Sequence, residues 1–238
     1  MDLPQPLIEG RLRRRYKRFF AEIELDSGEV ITAHCPNPGS MLGVLVEGGR
    51  VWASRHDDPK RKLKYSWQLA EVEGALVAIN TQNPNSIVEE AIRARRMPLF
   101  EGYADLRREV KYGAASRIDL LLEDAERPPC YLEIKNVHLS REAGLAEFPD
   151  SVTARGAKHL EELGEMARSG VRAVMLFVVQ RSDCNRFCLA ADLDPGYAAA
   201  FAAAQAAGVE AYCWDCEITK DESAASVCLR REIDIVAD

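Results

Sequence analysis

The sequence predicts an α/β protein, α+β in arrangement, with a small β-barrel or open sheet first and a mixed-sheet domain after it. Three observations carry this prediction. Residues 1–80 hold short strand-like runs between turn-rich stretches, with little helical periodicity. A turn-rich stretch, "TQNPNS", follows them, and beyond it helix-like and strand-like segments alternate. The chain therefore divides near residue 80, into residues 1–82 and 83–238.

In the first unit the strand candidates are "FFAEIELDSG", "VITAHC", "RVWAS" and "ALVAIN", punctuated by "PNPGS", "EGG" and "DDPK". Two basic clusters stand out, "RLRRRYKRFF" and "RHDDPKRKLKYSW". Each adjoins aromatics, Tyr16, Phe19 and Phe20 in one and Tyr65 and Trp67 in the other. Basic side chains neutralise phosphates and aromatic faces stack on bases, so Arg13, Arg14, Arg15, Tyr16, Lys17, Arg18, Lys62 and Lys64 are candidate DNA contacts.

The second unit opens with a helix, "IVEEAIRARRM", which Asn85 or Ser86 can cap and Pro98 follows. Three strand candidates come next, "DLRREVKYG", "SRIDLLLED" and "CYLEIKNV", joined by "AA" and "AERPP", links short enough for antiparallel neighbours. The helix "SVTARGAKHLEELGEMARSG" shows periodicity through Leu160, Leu163 and Met166. "RAVMLFVVQ" is an unbroken apolar run, expected of a strand covered on both faces. A helix from Pro195 to Gly208 and the strand "VEAYCWDCEI" complete the order.

Composition limits the function. Of 238 residues 47% are hydrophobic and 29% charged, an ordinary globular balance. No run of about 18 apolar residues exists, and the N-terminus is charged where a secretory signal is apolar, which argues against a membrane protein or an exported one. Seven cysteines, an odd number in apolar surroundings, read as reduced thiols in the cytoplasm. Cys184-x3-Cys188 and Cys213-x2-Cys216 have short spacings that suit zinc. Cys213 and Cys216, however, sit three apart on a strand and so face opposite ways, which favours buried thiols. Net charge is −7, and it is unevenly spread: residues 1–84 hold 12 Lys and Arg against 11 Asp and Glu, the remainder 19 against 27.

The chemistry concentrates in "YLEIKNV". On a strand, Glu133 and Lys135 share one face while Leu132 and Ile134 fill the other. If the two strands around "AERPP" pair, Asp119 comes opposite or diagonal to Glu133. Two carboxylates are hard oxygen ligands for Mg²⁺ or Mn²⁺, and an adjacent ammonium can stabilise charge on a phosphoryl group. Asp119, Glu133 and Lys135 are thus the candidate catalytic residues.

The string from "SRID" to "YLEIKNV" resembles the catalytic hairpin of the PD-(D/E)xK nuclease superfamily, with Ile118-Asp119 where Pro-Asp is usual. Over nearly the whole chain, "RYKRFFAEIELDSGEVITAHCPNPGSM", "NTQNPNSIVEEAI", "EVKYGAASRIDLLLED", "CYLEIKNVHL", "FPDSVTARGAKHLEEL" and "AVMLFVVQR" together resemble the sugar fermentation stimulation protein family, SfsA, mainly prokaryotic proteins described as DNA-binding. The resemblance implies an N-terminal OB-like β-barrel followed by a PD-(D/E)xK nuclease-like mixed-sheet domain. It also implies a third metal ligand on the first helix, Glu90 rather than its neighbour Glu89, beside Asp119 and Glu133. The segment "RGAKHL" supplies Arg155, Lys158 and His159, on adjacent helical turns, as further phosphate contacts.

Three functions compete. A Mg²⁺- or Mn²⁺-dependent DNA nuclease is favoured by the joint presence of Glu90, Asp119, Glu133 and Lys135. A DNA-binding regulator of sugar metabolism could retain the nuclease fold without cutting. A sugar-metabolic factor that binds no nucleic acid lacks support, for there is no glycine-rich cofactor loop after a strand. The expected partner is DNA, with no membrane; pairing with a second copy as a homodimer is left open.

Overall fold

The computed structural model describes residues 1–113 and 116–237. Six strands form the first sheet: β1 (Leu7–Tyr16), β2 (Phe20–Leu25), β3 (Val30–His34), β4 (Arg50–Arg55), β5 (Tyr65–Val72) and β6 (Ala75–Ala78). They run β3-β2-β1-β4-β5-β6, and a parallel contact of β3 with β5 at Ala33↔Tyr65 and His34↔Ser66 closes five of them into an OB-like barrel. Alternation explains the interior, because Ala21 and Ile23 of β2 and Ile31 and Ala33 of β3 point into a core completed by Trp67 and Ile79. Gly10 is required where β1 crosses β2: a Cβ there would stand 2.6 Å from both the Glu24 carbonyl oxygen and Ile23 Cγ2.

The second unit begins with α1 (Asn83–Arg93) and three antiparallel strands, β7 (Asp105–Tyr112), β8 (Ser116–Asp124) and β9 (Arg127–Val137). The "AA" link between β7 and β8 lies outside the described residues. A hairpin of β10 (Leu139–Glu142) and β11 (Leu145–Phe148) follows, then α2 (Ala154–Arg168), β12 (Arg172–Val179) and β13 (Arg186–Leu189). The chain continues through α3 (Pro195–Ala206), β14 (Glu210–Lys220), β15 (Ala225–Glu232) and β16 (Asp234–Ile235). Among the described residues the main sheet is ordered β15-β14-β12-β9-β8-β7, parallel across β9, β12 and β14 and antiparallel at both edges.

The alternation expected of "YLEIKNV" and "RAVMLFVVQ" is present. Leu132, Ile134, Val174, Leu176 and Val178 pack in the core containing Ile87, Val88 and Ala91 of α1. Val137, Met175, Phe177 and Val179 pack on the other face with Leu160 and Leu163 of α2 and Phe201 of α3. The sheet is therefore covered on both sides, with β12 at its centre. Cys213 and Cys216 fall in these two different cores, and none of the seven cysteines forms a disulfide among the described residues.

The strands β1, β5, β10, β11, β13, β15 and β16 were not among the candidates read from the sequence. Four of them, β10, β11, β13 and β16, are four residues or fewer, too short for a period to register. Most pair with strands distant in the chain, as β11 does with β13 and β13 with β16. Asn85 and Ser86 are not caps; α1 starts earlier, with Gln82 at its N-cap and Pro84 in its first turn. Residues at the very start run along β15, where the Leu3 amide donates to the Ala225 carbonyl at 2.9 Å, so the first three residues join the second sheet rather than the barrel.

The two units share an apolar core, in which Leu7, Trp52 and Leu69 of the barrel strands pack with Ile87 of α1 and Leu120 and Leu132 of the main sheet, and polar contacts add to it. The Ala78 amide donates to the Gln180 carbonyl at 3.0 Å, and Met41 donates its amide to Asp150 Oδ2 at 2.8 Å. His138, just beyond β9, is buried between them, with Nε2 donating to the Ala78 carbonyl at 2.7 Å and Nδ1 3.3 Å from the Asn37 amide nitrogen. Among the described residues no helix is long and apolar enough to cross a membrane.

Candidate functional site

The β8–β9 register, with Leu120 opposite Leu132, brings Asp119 beside Glu133 one step further along. There the strands part, and the Asp119 side chain fills the gap. Its Oδ2 accepts the Ile134 amide at 2.8 Å and its Oδ1 accepts Asn85 Nδ2 of α1 at 2.8 Å. Glu133 is 2% exposed. Its Oε1 accepts Lys135 Nζ at 2.6 Å and also the His159 ring through Nδ1, while its Oε2 is buried without a hydrogen-bond partner among the described residues.

The two carboxylates respond differently. Burial, and then repulsion by Glu133, pushes the Asp119 pKa up to about 6. Burial would raise Glu133 as well, but the His159 hydrogen bond and the Lys135 charge bring it below 4.5. A buried, partnerless carboxylate oxygen next to a repelled neighbour suits a hard divalent cation, which would relieve both. Behind the pair, Tyr112 and Tyr197 bury hydroxyls that have no hydrogen-bond partner; burial first and Glu133 second raise the pKa of both.

Helix α2 supplies the far wall. Thr153 caps it, accepting the Gly156 amide at 3.1 Å, and Gly156 lets the helix sit close: a Cβ there would be 2.9 Å from Thr153 Oγ1 and 3.0 Å from Tyr197 Cε2. Asp194 steadies both helix starts, accepting from the Thr153 amide at 2.7 Å and the Tyr197 amide at 2.9 Å. A cavity of about 230 Å³ lies between Asp119, Glu133, Lys135 and Arg155, with His159 also on its wall. A second, of about 400 Å³, shares Asp119, Arg155 and His159 with it and adds Glu109, Ser116, Arg117 and Lys158. Three cations, Arg117, Arg155 and Lys158, therefore line one groove that ends at the carboxylates.

Asp119, Glu133 and Lys135 converge as expected, but Glu90 does not join them. Its carboxylate lies 2.9 Å from the Met1 ammonium and 3.3 Å from Arg96, on the flank of α1 toward the chain start. Successive helical residues turn by about 100°, so the flank that reaches β8 is that of Asn85. Four residues on from Asn85, Glu89 pairs with Arg93 and Arg108. Among the described residues, no group of three His, Cys, Asp or Glu side chains is arranged to hold a metal. Sequence reasoning also missed Arg117, although it shares strand parity with Asp119 and alternation alone points to it.

The barrel candidates fare unevenly. Arg13 bonds Glu24 at 3.0 Å, and Arg14 forks onto Glu22 at 2.8 and 2.6 Å while lying over the Tyr16 ring. Tyr16 itself is stacked on Phe20. Arg15 donates to the carbonyls of Asn37 and Gly39, and Arg18 to that of Pro38, so both hold the "PNPGS" loop. Lys64 donates to the Asp58 carbonyl at 2.9 Å, and Trp67 is fully buried, with no face left for a base. Lys17 and Lys62 have no side-chain hydrogen bond or ion pair among the described residues. On α2, Lys158 Nζ lies 3.7 Å from Glu162, and Arg155 Nε donates to His159 Nε2 at 3.3 Å.

Two family models match the chain: the sugar fermentation stimulation protein RE domain over residues 82–222 and the SfsA N-terminal OB domain over residues 14–79. A sugar fermentation stimulation protein homolog of Maricaulis maris is 56% identical over 219 residues, covering 92% of this chain and 93% of its own. One from Brucella ovis is 56% identical over 221 residues, covering 93% of each chain. The solved structure of Pyrococcus furiosus SfsA in complex with Ca²⁺ superposes with a TM-score of 0.87 at 26% identity, covering 99% of this chain and 98% of that one.

Proposed function

The chain belongs to the sugar fermentation stimulation protein family, and from that premise we propose that it binds DNA and hydrolyses its phosphodiester bonds with a divalent cation held by Asp119 and Glu133. Mg²⁺ or Mn²⁺ is the proposed ion, and the Ca²⁺ bound by the Pyrococcus relative supports a divalent site in this fold. The observation that carries the reading is the division of labour on Glu133, with Oε1 taken by Lys135 and His159 and a buried Oε2 that has no hydrogen-bond partner among the described residues, on a strand paired with that of Asp119.

Arg117, Arg155 and Lys158 line the approach and bind backbone phosphates. The ammonium of Lys135, 2.6 Å from Glu133, lies where negative charge develops on the phosphoryl group and stabilises it. When bound, the cation supplies Lewis-acid polarisation of a phosphoryl oxygen and makes the attacking water more acidic. The carboxylates and the partly buried walls hold the scissile group in one orientation. A cytoplasmic location belongs to the same reading, in keeping with seven cysteines that form no disulfide among the described residues.

A second reading, a DNA-binding regulator of sugar metabolism that does not cut, is favoured by one observation: Glu90 lies away from the site, which leaves two carboxylates rather than three. Labelled single- and double-stranded DNA, incubated with the protein with and without Mn²⁺, separates the two. Mn²⁺-dependent fragments that the Lys135→Ala variant fails to produce are expected. Intact DNA in every lane, with binding retained, would leave the regulator.

A further inference from the structure

We propose that His159 is a positioning residue for Glu133 rather than a contact to the DNA backbone, and that Arg155 next to it carries the phosphate contact; this rests on the metal-site reading above. His159 is 8% exposed and Arg155 is exposed. A phosphate entering the groove meets the guanidinium before the imidazole.

The hydrogen bonds assign the ring. Arg155 Nε–H can only donate, so His159 Nε2, 3.3 Å away, accepts. The proton of the neutral imidazole then sits on Nδ1, a tautomer assigned from this network, and Nδ1 donates to Glu133 Oε1; Lys135 Nζ, 3.4 Å from the same nitrogen, is left to bond the carboxylate. Lys135 Nζ donates to the same oxygen at 2.6 Å. Two donors thus fix one carboxylate oxygen, while the other, buried and partnerless, is left for a cation.

The two donors are not equivalent. Lys135 is a point charge on a flexible stem and sets no plane for the carboxylate. The His159 ring is planar and clamped at both nitrogens, on a helix whose start is fixed by Thr153 and Asp194. It therefore sets the orientation in which Glu133 offers Oε2. Second partners of this kind tune a metal site through its ligand, without touching the metal.

The test is Mn²⁺ titration calorimetry on the full chain, for the parent, His159→Phe and His159→Asn. Phe keeps most of the ring volume and removes both nitrogens; Asn restores a donor near the Nδ1 position. His159→Phe is expected to weaken Mn²⁺ binding by about 10- to 100-fold and His159→Asn to recover most of it. The slope of log DNA affinity against log salt, measured in Ca²⁺, is expected to stay at the parent value in His159→Phe and to fall by about one in Arg155→Ala. Unchanged Mn²⁺ affinity in His159→Phe would overturn the assignment, as would a slope reduced by about one in that variant. A parent protein that takes up no Mn²⁺ would overturn the metal-site reading along with it, which tells the two failures apart.

Discussion

In the barrel, arginine after arginine of β1 meets a partner: Arg13 with Glu24, Arg14 with Glu22, Arg15 with the carbonyls of the loop at 37–39. In the groove of the second unit, Arg117 has no side-chain partner among the described residues, Arg155 is bonded to a histidine, and Lys158 lies 3.7 Å from a carboxylate. The barrel sequence is the more basic of the two, yet the arginines of β1 are taken up within the barrel, while the cations of the groove stand beside the carboxylates. A run of cations along a strand is neutralised when the neighbouring strand answers it with acids, as β2 does through Glu22 and Glu24. Charge density in sequence is thus a poor guide to where a polyanion can dock. The same acidity that makes the second unit look hostile to DNA is concentrated where a cation would offset it.

The largest expected difference between the two regions is in cleavage. Glu133→Gln, which removes one charge without changing shape, should lower Mn²⁺-dependent cleavage by at least about 100-fold, while Arg14→Ala leaves it within about twofold. A gel-based rate measurement checks this, and equal losses in the two variants would erase the distinction between groove and barrel.

Salt dependence sharpens the comparison next. Replacing Arg117, Arg155 and Lys158 together by Ala should reduce the slope of log affinity against log salt by about two to three for duplex DNA, whereas Arg13→Ala with Arg14→Ala changes it by less than about one. Lys17→Ala and Lys62→Ala bear on the barrel's remaining share, since these two lysines are unpaired among the described residues. A slope that responds only to the barrel variants would move the binding surface there.

The smallest effect concerns the seam between the regions. Burial pushes the His138 pKa down to about 4 from 6.5. The unfolded chain therefore binds the proton more readily, and the stability tied to neutral His138 is fully present above pH 6.5 and lost as pH falls toward 4. The loss is at most roughly 3 kcal/mol. Urea midpoints at pH 7 and pH 5 should differ by less in His138→Gln than in the parent; an equal difference would place the acid sensitivity elsewhere.

How much of this was legible in the sequence follows from how local each feature is. Alternation in "YLEIKNV" put Leu132 and Ile134 in the core and Glu133 and Lys135 on one face, and a short link gave the antiparallel pairing that delivers Asp119. A small β-barrel or open sheet followed by a mixed α/β unit was legible for the same reason, and the OB-like form of the barrel came from the family resemblance. Glu90 was misplaced because the rotation of α1 is set by its packing on the sheet, so Asn85 reaches β8 while Glu90 turns to Met1. The loop carbonyls that Arg15 and Arg18 hold lie 22 and 20 residues along the chain, at Asn37 and Pro38, and the strand residue that His159 bonds lies 26 residues before it. No spacing rule reports such contacts, and Trp67 likewise gave no sign that it would be enclosed by the barrel.

The central claim is that Asp119 and Glu133 jointly hold one divalent cation. Mn²⁺ titration of the parent, Asp119→Ala and Glu133→Ala, each with circular dichroism to confirm the fold, tests it most directly. One Mn²⁺ bound by the parent and none by either variant is the predicted result; uptake by folded variants equal to that of the parent would contradict it.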